Sequence, residues 1–88
     1  AFELGLVNDV VPPAALRETT ERYVEDILQC APLAVRATKA ASMQGLDHSL
    51  RDAFNRTYPE ETARRNSLDA IEGPRAFSEK RPPRWQGK

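Results

Sequence analysis

The prolines of this chain divide it into separate helical segments. Seven of the 88 residues are proline, and a proline inside a helix removes a backbone hydrogen bond and clashes with the preceding turn. Pro12-Pro13 stops an extended stretch and starts a helix, because proline is tolerated at the first helical position. Ala31-Pro32 ends that helix and begins the next, and Pro82-Pro83 ends the last one. These proline positions predict an all-α chain of about four helices.

Apolar residues recur at helical spacing between these prolines. The first helix carries one apolar stripe at three- and four-residue intervals, namely Leu16, Thr20, Tyr23, Val24, Ile27 and Leu28. The second helix, residues 33–44, is rich in alanine and is closed by Gly45. Its small side chains would let another helix approach closely.

The third and fourth helices have recognisable starting residues. Asp47 is an N-cap candidate for the third, and Ser67 caps the fourth. Asp69 lies in the first turn of the fourth helix, where the macrodipole favours a negative charge. Gly73-Pro74 weakens the middle of that helix.

Pro59 lies in the middle of the third predicted helix. It either ends the helix at Tyr58 or kinks it. We favour a kink, because acid-then-base pairs at i,i+4 spacing continue on both sides of the proline. These pairs are Asp47–Arg51, Asp52–Arg56, Glu60–Arg64 and Glu61–Arg65.

The N-terminal residues resemble the middle of a fold, and the chain does not begin with Met. Gly5 is predicted to be a helix C-cap, since glycine readily takes the left-handed conformation. "LVNDVV" (6–11) could be a strand or a hairpin fragment, but it has no sheet to join. We therefore expect a short extended stretch here, in a chain that is a piece of a larger protein.

Charge and cysteine content exclude several classes of function. Thirteen basic residues balance thirteen acidic ones, which argues against a nucleic-acid binder with a basic stripe. The sequence contains no run of 18 apolar residues, which a membrane-spanning helix would need. Cys30 is the single cysteine, so it forms no intrachain disulfide and fits a reducing cytoplasm. We expect Cys30 to be a small buried hydrophobe.

Few residues suggest catalysis. Asp47-His48-Ser49 contains the residue types of a catalytic triad, but neighbours on a helix point about 100° apart and cannot line up. His48 has no partner at metal-ligand spacing, so we predict no metal site. Three carboxylates could in principle serve in acid–base chemistry, but a solvated surface is the better interpretation for Glu60, Glu61 and Glu72. We predict no catalytic residue.

The basic C-terminal end is more informative. The local excess of positive charge comes from Lys80, Arg81, Arg84 and Lys88, and it suits an anionic small molecule or the acidic rim of a partner. Phe77 and Lys80 would share a helix face at i,i+3 spacing. Two interpretations remain open. In the first, Phe77 is a core residue and Lys80 caps the C-terminus of the helix. In the second, the two residues bind an aromatic, phosphorylated ligand.

Three blocks of the sequence resemble a known superfamily. "GLVNDVVP" (5–12), "APLAVRATK" (31–39) and "DAIEGPRAFSEKRPPRWQGK" (69–88) closely resemble the C-terminal region of the crotonase superfamily, the enoyl-CoA hydratases and isomerases. The resemblance implies an N-terminal spiral of ββα units that holds the oxyanion hole and the catalytic carboxylates. It also implies that the helical C-terminal segment drives assembly into trimers, which often pair into hexamers.

The same resemblance assigns roles to parts of this chain. Residues 1–12 would be the tail end of an upstream core, and residues 13–88 a helical oligomerisation domain. Phe77 and Lys80 of "AFSEK" match a phenylalanine and a lysine near the adenine and phosphate end of coenzyme A, commonly supplied by a neighbouring subunit. The parent enzyme would take a coenzyme A thioester as substrate without a catalytic cofactor. The 88 residues alone would be inactive.

A second hypothesis belongs to a different class of function. The chain could be a stand-alone helical interaction module without a ligand, which pairs through its apolar faces. Under either hypothesis we expect the isolated chain to self-associate as a dimer or higher oligomer, because apolar surface left uncovered seeks a partner.

Overall fold

A computed structural model describes all 88 residues, which form five α-helices and no β-strand. The helices are α1 (Leu16–Leu28), α2 (Pro32–Gly45), α3 (Leu50–Asn55), α4 (Pro59–Arg65) and α5 (Asp69–Ser78). A 3-10 turn at Pro13–Ala15 leads into α1. The predicted all-α class is confirmed. None of the five helices combines the length and the apolar character needed to span a bilayer.

The predicted kink at Pro59 is wrong, because the chain leaves the helix before it. Arg56 and Tyr58 are both extended, with ψ of 146° and 132°, and Pro59 is the first residue of α4. The cause is local, since a proline ring disfavours the helical conformation of the residue that precedes it. The third predicted helix is therefore two helices.

Asp47 does not start α3, which begins two residues later than that prediction implies. Ser49 is its N-cap, and its Oγ accepts the N–H of Asp52 at 3.2 Å. The same hydroxyl donates to Oδ2 of Asp52 at 2.7 Å. The two side groups thus satisfy each other at the start of the helix.

Of the four predicted i,i+4 ion pairs, only Glu61–Arg65 forms, at 2.9 Å. Asp47 and Arg56 lie outside the helices, so helical spacing does not apply to them. Glu61 also binds Arg64 at 2.6 Å. Glu60 is left with a buried Oε2 that has no hydrogen-bond partner.

Gly5 takes the left-handed conformation predicted for it, but it ends a hydrogen-bonded turn and not a helix. Its φ is +70°, its N–H donates to the carbonyl of Phe2, and the N–H of Leu6 donates to that of Ala1. These two bonds form a Schellman motif, in which glycine takes the left-handed conformation without a steric cost. Residues 6–11 form no strand.

Helix α2 packs most extensively against α4. Ala37 of α2 is almost fully buried, and Tyr58, which precedes α4, is buried as well. The Oη of Tyr58 donates to the carbonyl of Ala53 at 3.1 Å and ties α3 to this contact. Small alanine side chains on α2 allow this approach, as predicted.

Little else in the chain is buried. Only five of the 88 residues are buried, and the accessible surface is 7613 Å², whereas a compact monomer of this mass exposes about 5,200 Å². The Cα radius of gyration is 16.5 Å rather than the roughly 12 Å of a compact domain of this length. The apolar stripe of α1 lies open to solvent at Leu16, Val24, Ile27 and Leu28.

The prediction that Cys30 is buried is also wrong. Cys30 is exposed in the turn between α1 and α2. Its Sγ donates to the carbonyl of Asp26 at 3.5 Å. Cys30 is uncovered like the neighbouring Ile27 and Leu28 of the apolar stripe of α1.

The contact between α2 and α4 predicts a position-specific response to added volume. Ala37→Leu should lower stability by about 1–3 kcal/mol, because a buried site near close-packed density cannot accept three more carbons without strain. Thermal unfolding at matched protein concentration would measure the change. Ala63→Leu makes the same substitution at an exposed position of α4 and should have little effect. Equal effects of the two substitutions would contradict the packing described.

Candidate functional site

Helix α5 ends in a Schellman motif built around a lysine. The N–H of Lys80 donates to the carbonyl of Phe77 at 3.2 Å, and the N–H of Arg81 donates to that of Ala76 at 3.0 Å. Lys80 takes the left-handed position with φ of +52°, and it is the only residue other than glycine with positive φ. Glycine usually occupies this position, and a side chain there costs about 1–2 kcal/mol. Surrounding contacts must therefore hold it.

The structure changes the relation predicted between Phe77 and Lys80. Helix α5 ends at Ser78, so Lys80 has left the helix and the rule that residues i and i+3 share a helix face does not apply. Phe77 is 88% exposed, which rules out the core interpretation within this chain. The side chain of Lys80 is exposed and takes part in no ion pair.

Glu72 is the main anchor beneath this helix end. Its two carboxylate oxygens accept Nη1 and Nη2 of Arg81 at 2.6 and 3.0 Å. Oε1 of Glu72 also accepts the backbone N–H of Arg84 at 2.8 Å. The Glu72 side chain is only 16% exposed. One carboxylate thus binds two points of the chain that comes after Lys80.

Glu79 completes the ion-pair network around Arg81. It accepts Nε of Arg81 at 2.6 Å and Nε of Arg75 at 3.0 Å. Arg81 therefore faces two carboxylates, which raise its pKa. The predicted basic patch is smaller than expected, because the charge of Arg81 is compensated within the chain.

Hydrogen bonds from Arg81, and then from the Arg84 N–H, lower the pKa of Glu72 to about 2. Arg64 and then Arg65 lower the pKa of Glu61 to about 2 as well. At neutral pH both carboxylates are ionised and paired with arginine side chains. Neither is suited to serve as a general base, which needs a pKa near the working pH.

The C-terminal tail, residues 82–88, returns along α5 toward its N-terminus. Oδ1 of Asp69 accepts the N–H of Gln86 at 2.7 Å, and Oδ2 accepts the N–H of Gly87 at 2.9 Å. The N–H of Leu68 donates to the carbonyl of Lys88 at 2.7 Å. Asp69 is 4% exposed. It does more than complement the helix macrodipole, since it holds the end of the chain.

Trp85 fastens the same tail to a second element. A Cβ built on Gly73 would lie 3.4 Å from the indole ring, so the missing side chain lets the ring rest on α5. The indole Nε1–H donates to the carbonyl of Gln29, at the end of α1, at 2.8 Å. The ordered path of the tail was not predicted from the sequence.

Other candidate residues stay apart. Ser67 was predicted to cap the last helix, and its Oγ does accept the N–H of Ala70 at 3.2 Å, although the helix proper begins at Asp69. No group of three or more His, Cys, Asp and Glu side chains is placed to hold a metal ion. The site that the structure presents is the end of α5. Phe77 and Lys80 are exposed there, next to the ion-pair network of Glu72, Glu79 and Arg81.

The lowered carboxyl pKa values predict acid lability. Glu72 and Glu61 have folded pKa values of about 2, below the ordinary 4.5, so the unfolded chain takes up protons first. Their stabilisation is present above about pH 4.5 and is lost as the pH falls toward 2. Thermal unfolding midpoints should drop across this window in the wild type and drop less in Glu72→Gln. An unchanged pH slope in Glu72→Gln and Glu61→Gln would contradict these pairings.

Solved structures share this arrangement of helices. An enoyl-CoA hydratase/isomerase from Mycobacterium paratuberculosis superposes with a TM-score of 0.91 at 39% identity, over 100% of this chain and 35% of that one. An enoyl-CoA hydratase from Bacillus anthracis gives a TM-score of 0.89 at 34% identity, over 100% of this chain and 34% of that one. The helices match the C-terminal helical segment of the crotonase-type fold.

Curated relatives agree with the structural neighbours. An (E)-benzylidenesuccinyl-CoA hydratase from Thauera aromatica is 39% identical over 99% of this chain and 34% of its own length. A carnitinyl-CoA dehydratase from Salmonella arizonae is 38% identical over 99% and 35%. The chain thus spans about a third of the length of these relatives. The family model for enoyl-CoA hydratase/isomerase matches residues 1–88. The chain belongs to the enoyl-CoA hydratase/isomerase family, within the crotonase superfamily.

Proposed function

We propose that these 88 residues form the C-terminal helical segment of an enzyme that acts on an acyl-CoA thioester. In this proposal residues 1–12 end the upstream core, and residues 13–88 assemble subunits and contribute to the coenzyme A site. The parent enzyme is a cytoplasmic hydratase or isomerase without a catalytic cofactor. Its catalytic groups come from the part of the relatives that this chain does not span, so the 88 residues alone are inactive.

The observation that carries the binding role is the pair of free side chains at the end of α5. Phe77 presents an uncovered ring, and Lys80 presents an ammonium without an ion-pair partner. An aromatic ring can lie against a base such as adenine. An ammonium meets a phosphate as a point charge. Coenzyme A carries both groups at its nucleotide end.

The open apolar faces support the assembly role. The accessible surface of 7613 Å² exceeds that of a compact monomer by about 2,400 Å², which is comparable with the area that stable protein interfaces bury. The exposed stripe of α1 and the ring of Phe54 on α3 belong to this excess. We assign these faces to the upstream core and to neighbouring subunits of a trimer or hexamer.

Removal of the Lys80 charge should test the coenzyme A contact. In the complete enzyme, Lys80→Ala should raise the Kd for coenzyme A about tenfold, the usual scale for a lost charged hydrogen bond. Pantetheine, which lacks the nucleotide, should bind both proteins equally. Isothermal titration calorimetry would give both constants.

Lys39→Ala serves as the matched control, because Lys39 is an exposed lysine on α2, away from the end of α5. It should leave both constants unchanged. An unaltered coenzyme A Kd in Lys80→Ala would contradict the contact. Absence of any coenzyme A binding, together with a defined oligomer of the 88 residues, would favour the stand-alone interaction module instead.

A further inference from the structure

Lys80 needs an external restraint to keep its backbone conformation. Its φ of +52° lies in the region that residues with a side chain rarely adopt. The two hydrogen bonds of the helix end hold Lys80 and Arg81 from the N-terminal side. Contacts that Arg81 and the residues on its C-terminal side make with α5 add to these two bonds.

Glu72 supplies that restraint from nine residues earlier in the chain. The guanidinium of Arg81, the residue directly after Lys80, binds both oxygens of Glu72. The planar fork of arginine makes such a paired contact directional. The N–H of Arg84 binds the same carboxylate. Two points of the chain on the C-terminal side of Lys80 are thereby bound to one residue of α5.

The backbone conformation sets where the lysine side chain starts. Lysine has a flexible four-carbon stem, so the protein controls the position of its ammonium chiefly through the direction of the Cα–Cβ bond. A left-handed residue sends that bond away from the path that a continuing helix would give it. Because the ion pair between Glu72 and Arg81 restrains the turn at Lys80, it affects the region of space that the Lys80 ammonium can reach.

We propose that Glu72 is a positioning residue that, through Arg81, fixes the left-handed turn at Lys80 and aims its ammonium at the phosphate of coenzyme A. Glu72 itself touches no ligand in this role. The inference rests on the proposed function, because it presupposes that Lys80 binds coenzyme A. The inference goes beyond that function because it gives the Glu72 carboxylate an indirect part in binding the nucleotide. In direct contact, this carboxylate would repel a phosphate.

A double-mutant cycle separates positioning from general stability. In the complete enzyme, Glu72→Ala should raise the Kd for coenzyme A about threefold, less than the tenfold of Lys80→Ala, because a misaimed lysine retains part of its attraction. In the Lys80→Ala background the same substitution should change the Kd by less than about 1.5-fold. Pantetheine binding should not change in any variant. With an enoyl-CoA that the enzyme turns over, KM should rise while kcat stays constant.

Two further variants guard against a folding artefact. Glu72→Gln keeps the volume and an acceptor for the Arg84 N–H, and it should show the same selective loss of coenzyme A affinity if Glu72→Ala does not fold. Glu61→Ala removes another carboxylate that holds two arginines, on α4, and should leave the Kd for coenzyme A unchanged.

The outcomes distinguish the two levels of the proposal. If Lys80→Ala has no effect, the proposed contact with coenzyme A fails, and the positioning role fails with it. If Lys80→Ala weakens binding but Glu72→Ala and Glu72→Gln do not, only the positioning role is overturned. Equal losses from the Glu72 variants with and without Lys80, or equal losses for pantetheine, would make Glu72 a purely structural residue.

Discussion

The helices satisfy their backbone hydrogen bonds locally, but they leave their apolar faces without a covering surface. Of 51 backbone hydrogen bonds, 31 lie within the helices, whereas only five residues are buried. Burial of apolar surface is the dominant favourable term in folding. Helices of six to fourteen residues are marginal without it. The backbone hydrogen bonds of the helices are thus satisfied within one copy, while most of the apolar surface that would stabilise the helices by burial stays exposed in it.

Helix α5 and the tail that follows it are organised differently, by ionic and polar contacts within the chain. Asp69 and Glu72 lie one helical turn apart and together bind three backbone N–H groups and one guanidinium of the residues beyond α5. Trp85 adds a link to the end of α1. These contacts hold the turn that carries Lys80, next to Phe77, in an otherwise open chain.

Local signals in the sequence predicted much of the fold and little of the site. Pro13, Pro32 and Pro59 mark helix starts and Gly5 takes a left-handed turn, because the backbone preferences of these residues are local. The break before Pro59 does not follow from the sequence pattern, because i,i+4 charge spacing is equally compatible with two short helices and with one kinked helix. Lys80 was placed on the helix because no glycine marks its left-handed turn. The tail contacts of Asp69 join residues 17 and 18 positions apart, and no periodicity reports such a contact. The exposure of Phe77 depends on what covers it, which a pattern does not specify.

Sedimentation equilibrium of the 88-residue chain, with an apolar fluorescent dye added at each dilution, tests most directly whether these helices depend on surfaces outside one copy. We expect reversible association that weakens over a hundredfold dilution. Dye binding should increase as partners separate, because the faces of α1 and α3 then return to solvent. A monomer at every concentration, with no dye binding and a radius of gyration near 12 Å instead of 16.5 Å, would contradict this dependence.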